Sequence, residues 1–126
     1  MTSTALGVRL AQAIASKDSE ALTALLDPEV DFRALTPRKF WEATRPDEVL
    51  EILFDNWFED SDHIDELVDV RHGDDVEDTH EVGYRLAITN PVGAHTVEQQ
   101  AYYRTDGDRI SYLRVMCSGF RPVAGQ

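Results

Sequence analysis

The stretch "TVEQQAYYR", residues 96–104, has the β-branched and aromatic residues of a strand, yet Glu98, Gln99 and Gln100 stand at its centre. Where those three side chains point decides how the chain folds. Turn signals bound the stretch on both sides, "NPVG" (90–93) before it and "TDGD" (105–108) after it. With Asp106-Gly107 as a two-residue hairpin loop, Thr105 pairs with Asp108. Tyr103 then faces Ile110, Ala101 faces Tyr112 and Val97 faces Met116, on one side of the sheet with Gln99 and Arg114. The opposite side carries Glu98, Gln100, Tyr102, Ser111, Leu113, Val115 and Cys117. Counting back through "NPVG" puts Val82, Tyr84, Leu86 and Ile88 with the first set. Gly83, Arg85 and Ala87 join the second, which sets Arg85 nearly opposite Glu98.

Outward from this hairpin the pattern divides in two. Strands are expected near 64–72, 76–89, 94–105 and 109–119. The first half is helical in period. Leu6, Leu10 and Ile14 recur every four residues. Asp18 is a natural N-cap for a second helix carrying Leu22, Leu25 and Leu26, which "LDPE" ends. "VDFRAL" (30–35) reads as a short strand. "TRPDEVLEILFDNWF" (44–58) is the clearest helix, with Pro46 in its first turn and a stripe of Val49, Leu50, Leu53, Phe54, Trp57 and Phe58. Helices followed by an antiparallel meander mean an α+β fold. The length, 126 residues, fits one domain spanning 1–126.

The formal net charge is −12, which opposes binding to nucleic acid and docking on anionic membranes. No apolar run approaches the ~20 residues of a membrane span. Arg9 interrupts the only segment resembling a signal peptide, and Cys117 is the single cysteine. A cytoplasmic location is the expectation. Eleven carboxylates and one arginine lie between Glu59 and Glu81. "DDVED" (74–78) lacks the spacing of a calcium loop and reads as a solvated edge. His63, His72, His80 and His95 are not spaced as metal ligands. No cofactor or metal is expected.

Both faces of the sheet hold apolar residues, and the helices can cover only one. The other then needs a partner. A homodimer is expected through the outer sheet face, bearing Tyr84, Leu86, Tyr103, Tyr112 and Met116.

Three segments, "AIASKDSEALTALLDPEVDF" (13–32), "NWF" (56–58) and "DGDRISYLRV" (106–115), together with the helix-then-meander order, carry a resemblance. The chain resembles the nuclear transport factor 2-like superfamily, and within it the SnoaL-like and ketosteroid-isomerase-like small bacterial proteins. The resemblance implies three N-terminal helices packed on a curved, mostly antiparallel sheet that forms a cone around a pocket, and dimers joined through the outer sheet face. It places Glu98, Gln100 and Tyr102 inside the cone. It also removes one reaction. The places of the ketosteroid isomerases' base, tyrosine and protonated aspartate are held here by Phe32, Leu10 and Gln100, which can neither move the proton nor hold the oxyanion.

On this reading Glu98 is the candidate general base, and Arg85 holds it ionised or grips an anionic substrate. The same pair would equally serve as a bridge between strands. Gln100 and Tyr102 would orient a ligand. Phe32, Phe40, Trp41, Trp57 and Leu113 would wall the pocket or fill the core, and Cys117 would sit among them as a small buried thiol. Two classes of function follow. One is a cofactor-free acid–base enzyme (lyase, isomerase or hydrolase) acting on a small apolar or polycyclic substrate. The other is a non-catalytic ligand-binding or dimerisation module, favoured if Trp41, Trp57 and Phe32 fill the cone.

Overall fold

The computed structural model describes residues 3–123, with side chains from residue 6 onward. Helix α1 (Ser3–Ala15) closes with Lys17 N–H on Ile14 O (3.1 Å) and Asp18 N–H on Ala13 O (2.9 Å). This is the pattern that usually takes glycine, and Lys17 adopts its positive φ of 52°. Helix α2 (Ser19–Leu25) starts as expected, with the Asp18 carboxylate accepting the Ala21 N–H at 3.0 Å. Strand β1 (Leu26–Thr36) follows at once and turns back through Pro37-Arg38 into β2 (Lys39–Ala43), a strand the sequence reading lacks. Helix α3 (Pro46–Glu51), with Pro46 at its start, continues into a π-helical segment, Ile52–Trp57. The long aromatic helix is therefore real but widens midway, and Phe58 N–H bonds Leu53 O, five residues back, at 2.7 Å.

Strands β3 (His63–His72), β4 (His80–Asn90), β5 (Gly93–Asp106) and β6 (Arg109–Cys117) form the antiparallel meander, and a two-residue β7 (Arg121–Pro122) pairs with the start of β5. The order is β2-β1-β6-β5-β4-β3, with β1 and β6 parallel. The chain is thus α+β, with three helices and a curved, unclosed sheet of seven strands. Among the described residues no helix is long and apolar enough to cross a membrane.

The facing of β4 and β5 is the reverse of the one counted from the turns. Val82, Tyr84, Leu86, Ile88, Val97, Gln99, Ala101 and Tyr103 all face the helices and are buried. Glu98, Gln100, Tyr102 and Arg85 face away. The cause is local. The hairpin loop is Gly107-Asp108, so Asp106 pairs with Arg109 and Thr105 with Ile110. That shift moves the pairing by two and keeps the parity. A bulge beyond it then sets Arg104 opposite Tyr112 and Tyr103 opposite Leu113. One extra residue in β6 inverts which side chains share a face. Leu113, Val115 and Cys117 do face the helices, as expected. The dimer face drawn from the sequence is corrected in the same stroke: Tyr84, Leu86 and Tyr103 belong to the core, and only Tyr112 and Met116 lie outside.

Candidate functional site

Of the three polar residues of "EQQ", only the middle one, Gln99, is buried. Tyr84 Oη donates to Gln99 Oε1 at 2.6 Å, and Gln99 Nε2 donates to Cys117 Sγ at 3.4 Å. Both ends of the amide are used, which is what allows it to be buried. Burial first, and the neighbouring Cys117 second, push the Tyr84 pKa far above the ordinary phenol value, so it remains a donor.

Around this chain the space between sheet and helices is nearly full. Leu10, Ile14, Leu22, Leu26, Phe32, Val49, Leu53, Leu113 and Val115 close in on Tyr84 and Gln99 and leave a cavity of ≈ 10 Å³. That is at the limit for a single water. Phe32 and Leu113, expected either to wall a pocket or to fill the core, are core residues, whereas Phe40 stands half exposed on β2.

Free space opens beyond Cys117. A cleft of ≈ 380 Å³ is lined by Thr36, Trp41, Asn56, Trp57, Phe58, Glu59, Asp62, Cys117, Gly119 and Phe120. The end of the hairpin β1–β2 supplies Thr36 and Trp41, whose Nε1 donates to Thr36 Oγ1 at 2.9 Å. The π-helical segment supplies Asn56 and Trp57, and such widened turns recur at functional sites. The two indoles meet edge to face, 6.1 Å apart at 84°. Phe120, carried by the break between β6 and β7, lies 6.0 Å from Phe58. Trp57 is 8% exposed, and its Nε1 is the one buried side-chain nitrogen or oxygen without a partner among the described residues. An orphaned buried donor of this kind costs about 1–3 kcal/mol.

The acidic rim of the cleft is pinned from α1. Lys17 Nζ donates to the carbonyl oxygens of Glu59 (2.8 Å) and Asp62 (2.7 Å). Asp62 is buried; its carboxylate accepts Glu59 N–H and Asn90 Nδ2, each at 3.1 Å. The left-handed turn at Lys17 therefore aims an ammonium at the loop that follows the aromatic helix.

Of the residues singled out from the sequence, Trp41, Trp57 and Cys117 meet in this cleft. Glu98, Arg85, Gln100 and Tyr102 do not. Arg85 and Glu98 do touch, Nη2 to Oε2 at 3.3 Å, but on the outer face, where Arg71 (3.6 Å) and Arg121 (3.1 Å) share the same carboxylate. Three guanidiniums from β3, β4 and β7 converge on one glutamate of β5, an arrangement that ties those strands together. Gln100 donates to Glu81 beside it, and Tyr102 is exposed. Among the described residues no three His, Cys, Asp or Glu side chains gather as a metal site, "DDVED" included. The cleft residues missed by sequence reasoning are Thr36, Asn56, Phe58, Glu59, Asp62, Gly119 and Phe120. "NWFEDSD" (56–62), aromatics running straight into acids after a helix, was the available signal.

No protein-family model matches the chain, and no curated protein matches it in sequence. Solved structures match its fold. A proposed isomerase from Bacillus subtilis is 14% identical, with 94% of this chain and 90% of that chain covered at a TM-score of 0.74. A proposed polyketide cyclase from Pseudomonas putida KT2440 is 13% identical, with 91% and 90% covered at a TM-score of 0.71. A protein of ketosteroid-isomerase-like fold from Catenulispora acidiphila, in complex with trimethylamine, is 14% identical, with 93% and 88% covered at a TM-score of 0.67. The likeness is one of fold, that of the SnoaL-like and ketosteroid-isomerase-like proteins of the nuclear transport factor 2-like superfamily.

Proposed function

We propose that this single-domain chain is a small-molecule-binding protein whose ligand sits in the cleft at the mouth of a filled cone. The observation that carries this is the contrast in space: ≈ 10 Å³ inside, ≈ 380 Å³ at the mouth. Aromatic walls and a few polar groups are the usual make-up of a ligand site. The Catenulispora protein of the same fold holds a small molecule. Binding is favoured over acid–base turnover because Glu98 and Arg85 lie on the other side of the sheet, already engaged with Arg71 and Arg121. A fragment set read by ligand-observed NMR is expected to give hits that compete for one site and vanish in Trp41→Ala. Hits that survive that substitution unchanged would place the site elsewhere.

A second reading concerns the outer face, which we propose pairs with a second copy of the chain. Leu35, Phe40, Tyr102 and Met116 stand exposed around a groove of ≈ 320 Å³, Met116 at 57%. Arg33 and Arg114 line the same groove, and Arg104 and Arg114 flank the Tyr112 ring at 4.3 and 3.9 Å. Arg33 and Arg114 both pair with Asp31, so in a chain of net charge −12 this apolar patch is locally near neutral and is a place where two copies repel little. Analytical ultracentrifugation at micromolar concentration is expected to show a dimer that Met116→Glu converts to monomer. A wild-type monomer would end this reading.

A further inference from the structure

We infer that the open edge of strand β2 docks a second copy of the chain, antiparallel and edge to edge, so that two sheets become one. This contact is distinct from the outer-face pairing proposed above, although Phe40 borders both. The sheet ends in β3 on one side and in β2 on the other. The β3 edge is guarded: register shifts interrupt it between Ile64 and Glu66 and between Leu67 and Asp69, and Asp65, Glu66 and Asp69 charge it. The β2 edge has neither device. Its five pairs with β1 run without a shift, and no proline interrupts them. Thr36 and Lys39 close the two-residue turn, so Lys39, Trp41 and Ala43 direct their backbone bonds to β1. The N–H and C=O of Phe40 and Glu42 then point outward, and no loop or turn among the described residues bonds them. The side chains of this edge are self-complementary. A two-fold axis normal to the sheet sets residues of equal parity opposite one another. With Phe40 on that axis, the two Phe40 rings meet, Arg38 stands opposite Glu42 of the second copy, and Lys39 stands opposite its Trp41. Phe40 is 49% exposed. Arg38 and Glu42 are both exposed, and among the described residues neither has an ion-pair partner. Lys39 Nζ already lies 4.0 Å from the centroid of its own Trp41 ring, so the pairing adds a second indole to a cation held in place.

The test uses Met116→Glu throughout, which takes the outer-face contact out of play. A contact this short is weak, so it is followed by amide NMR on dilution from about 1 mM to about 50 µM. The Phe40 and Glu42 amide resonances are expected to move with dilution, and those of β3 to stay fixed. In the same background, Arg38→Glu alone and Glu42→Arg alone each set like charges opposite one another twice. Each is expected to weaken association about 5-fold or more. The double exchange Arg38→Glu/Glu42→Arg keeps the net charge and restores opposite pairs, so it is expected to regain the association. An equimolar mixture of the two single variants is expected to regain it as well, because each then faces the other with opposite charges. Phe40 and Glu42 amides that do not move with concentration would overturn the inference. So would a double exchange and a mixture that associate no better than the single variants, since the pairing of Arg38 with Glu42 would then be wrong. Either failure leaves the outer-face reading standing, because that one is decided at micromolar concentration in the chain that keeps Met116.

Discussion

Replacing Gln99 by glutamate is expected to lower stability by up to about 3.7 kcal/mol at pH 7, about 1.4 kcal/mol for each pH unit above the unfolded carboxyl value near 4.3, because the site offers an ionised carboxylate no cation. Gln99 is 1% exposed, and its two contacts are a phenol and a thiol. The neutral carboxyl can reproduce both: its carbonyl accepts from Tyr84 and its hydroxyl donates to Cys117. The anion can only accept, and it loses its hydration besides. The introduced group's pKa is therefore raised in the folded state. A raised carboxyl pKa leaves stability intact below the unfolded value near 4.3, lets it fall as pH rises above that value, and holds the loss constant above the folded pKa. Urea unfolding of Gln99→Glu and wild type, compared at each pH from 4 to 8, should show the gap opening with pH. A pH-independent gap would show that shape alone is responsible. A polar residue in mid-strand is tolerated here because both ends of its amide are bonded.

Gly7→Ala should destabilise the fold although alanine is the better helix former. In an exposed helix the exchange gains roughly 0.8–1.0 kcal/mol. Gly7, however, lies against β4 and β5. A Cβ there would stand 2.7 Å from Tyr103 Oη, 3.3 Å from Tyr103 Cε1 and 3.2 Å from Val82 Cβ. Both neighbours are fully buried, and the Tyr103 hydroxyl bonds the Gly7 backbone, so neither can give way freely. Overpacking of this kind costs about 1–3 kcal/mol and outweighs the propensity gain. Tyr103→Phe removes the closest atom. A double-mutant cycle by thermal or urea unfolding should show Gly7→Ala costing measurably less in that background. An equal cost in both backgrounds would shift the blame to Val82. The same contact explains why Tyr103, once assigned to an exposed dimer face, is instead where α1 is fastened to the sheet.

Much of this architecture was legible in the sequence, for reasons that are local. Leu6, Leu10 and Ile14 fix α1, the Asp18 carboxylate starts α2, Pro46 starts α3, and "NPVG" and the "TDGD" region turn the meander. Each signal acts within four or five residues, so it survives being read without a partner. The pairing of β4 with β5 was legible for the same reason: its turn is regular, and Arg85 does stand opposite Glu98. The helix widening at Ile52–Trp57 and the strand β2 were not legible, because aromatic residues serve helix and strand patterns alike. What only the tertiary structure decided is the facing. Strand parity has a period of two, so a single residue accommodated out of register reverses every side chain beyond it. The bulge in β6 is such a residue. It is held by parallel pairing with β1, Asp31 to Tyr112 and Phe32 to Leu113, between segments some eighty residues apart. No local pattern in "DGDRISYLRV" records that partner. Hence Gln99 rather than Glu98 faces the helices, the space between sheet and helices is filled by the core, and a cleft opens beside Trp57.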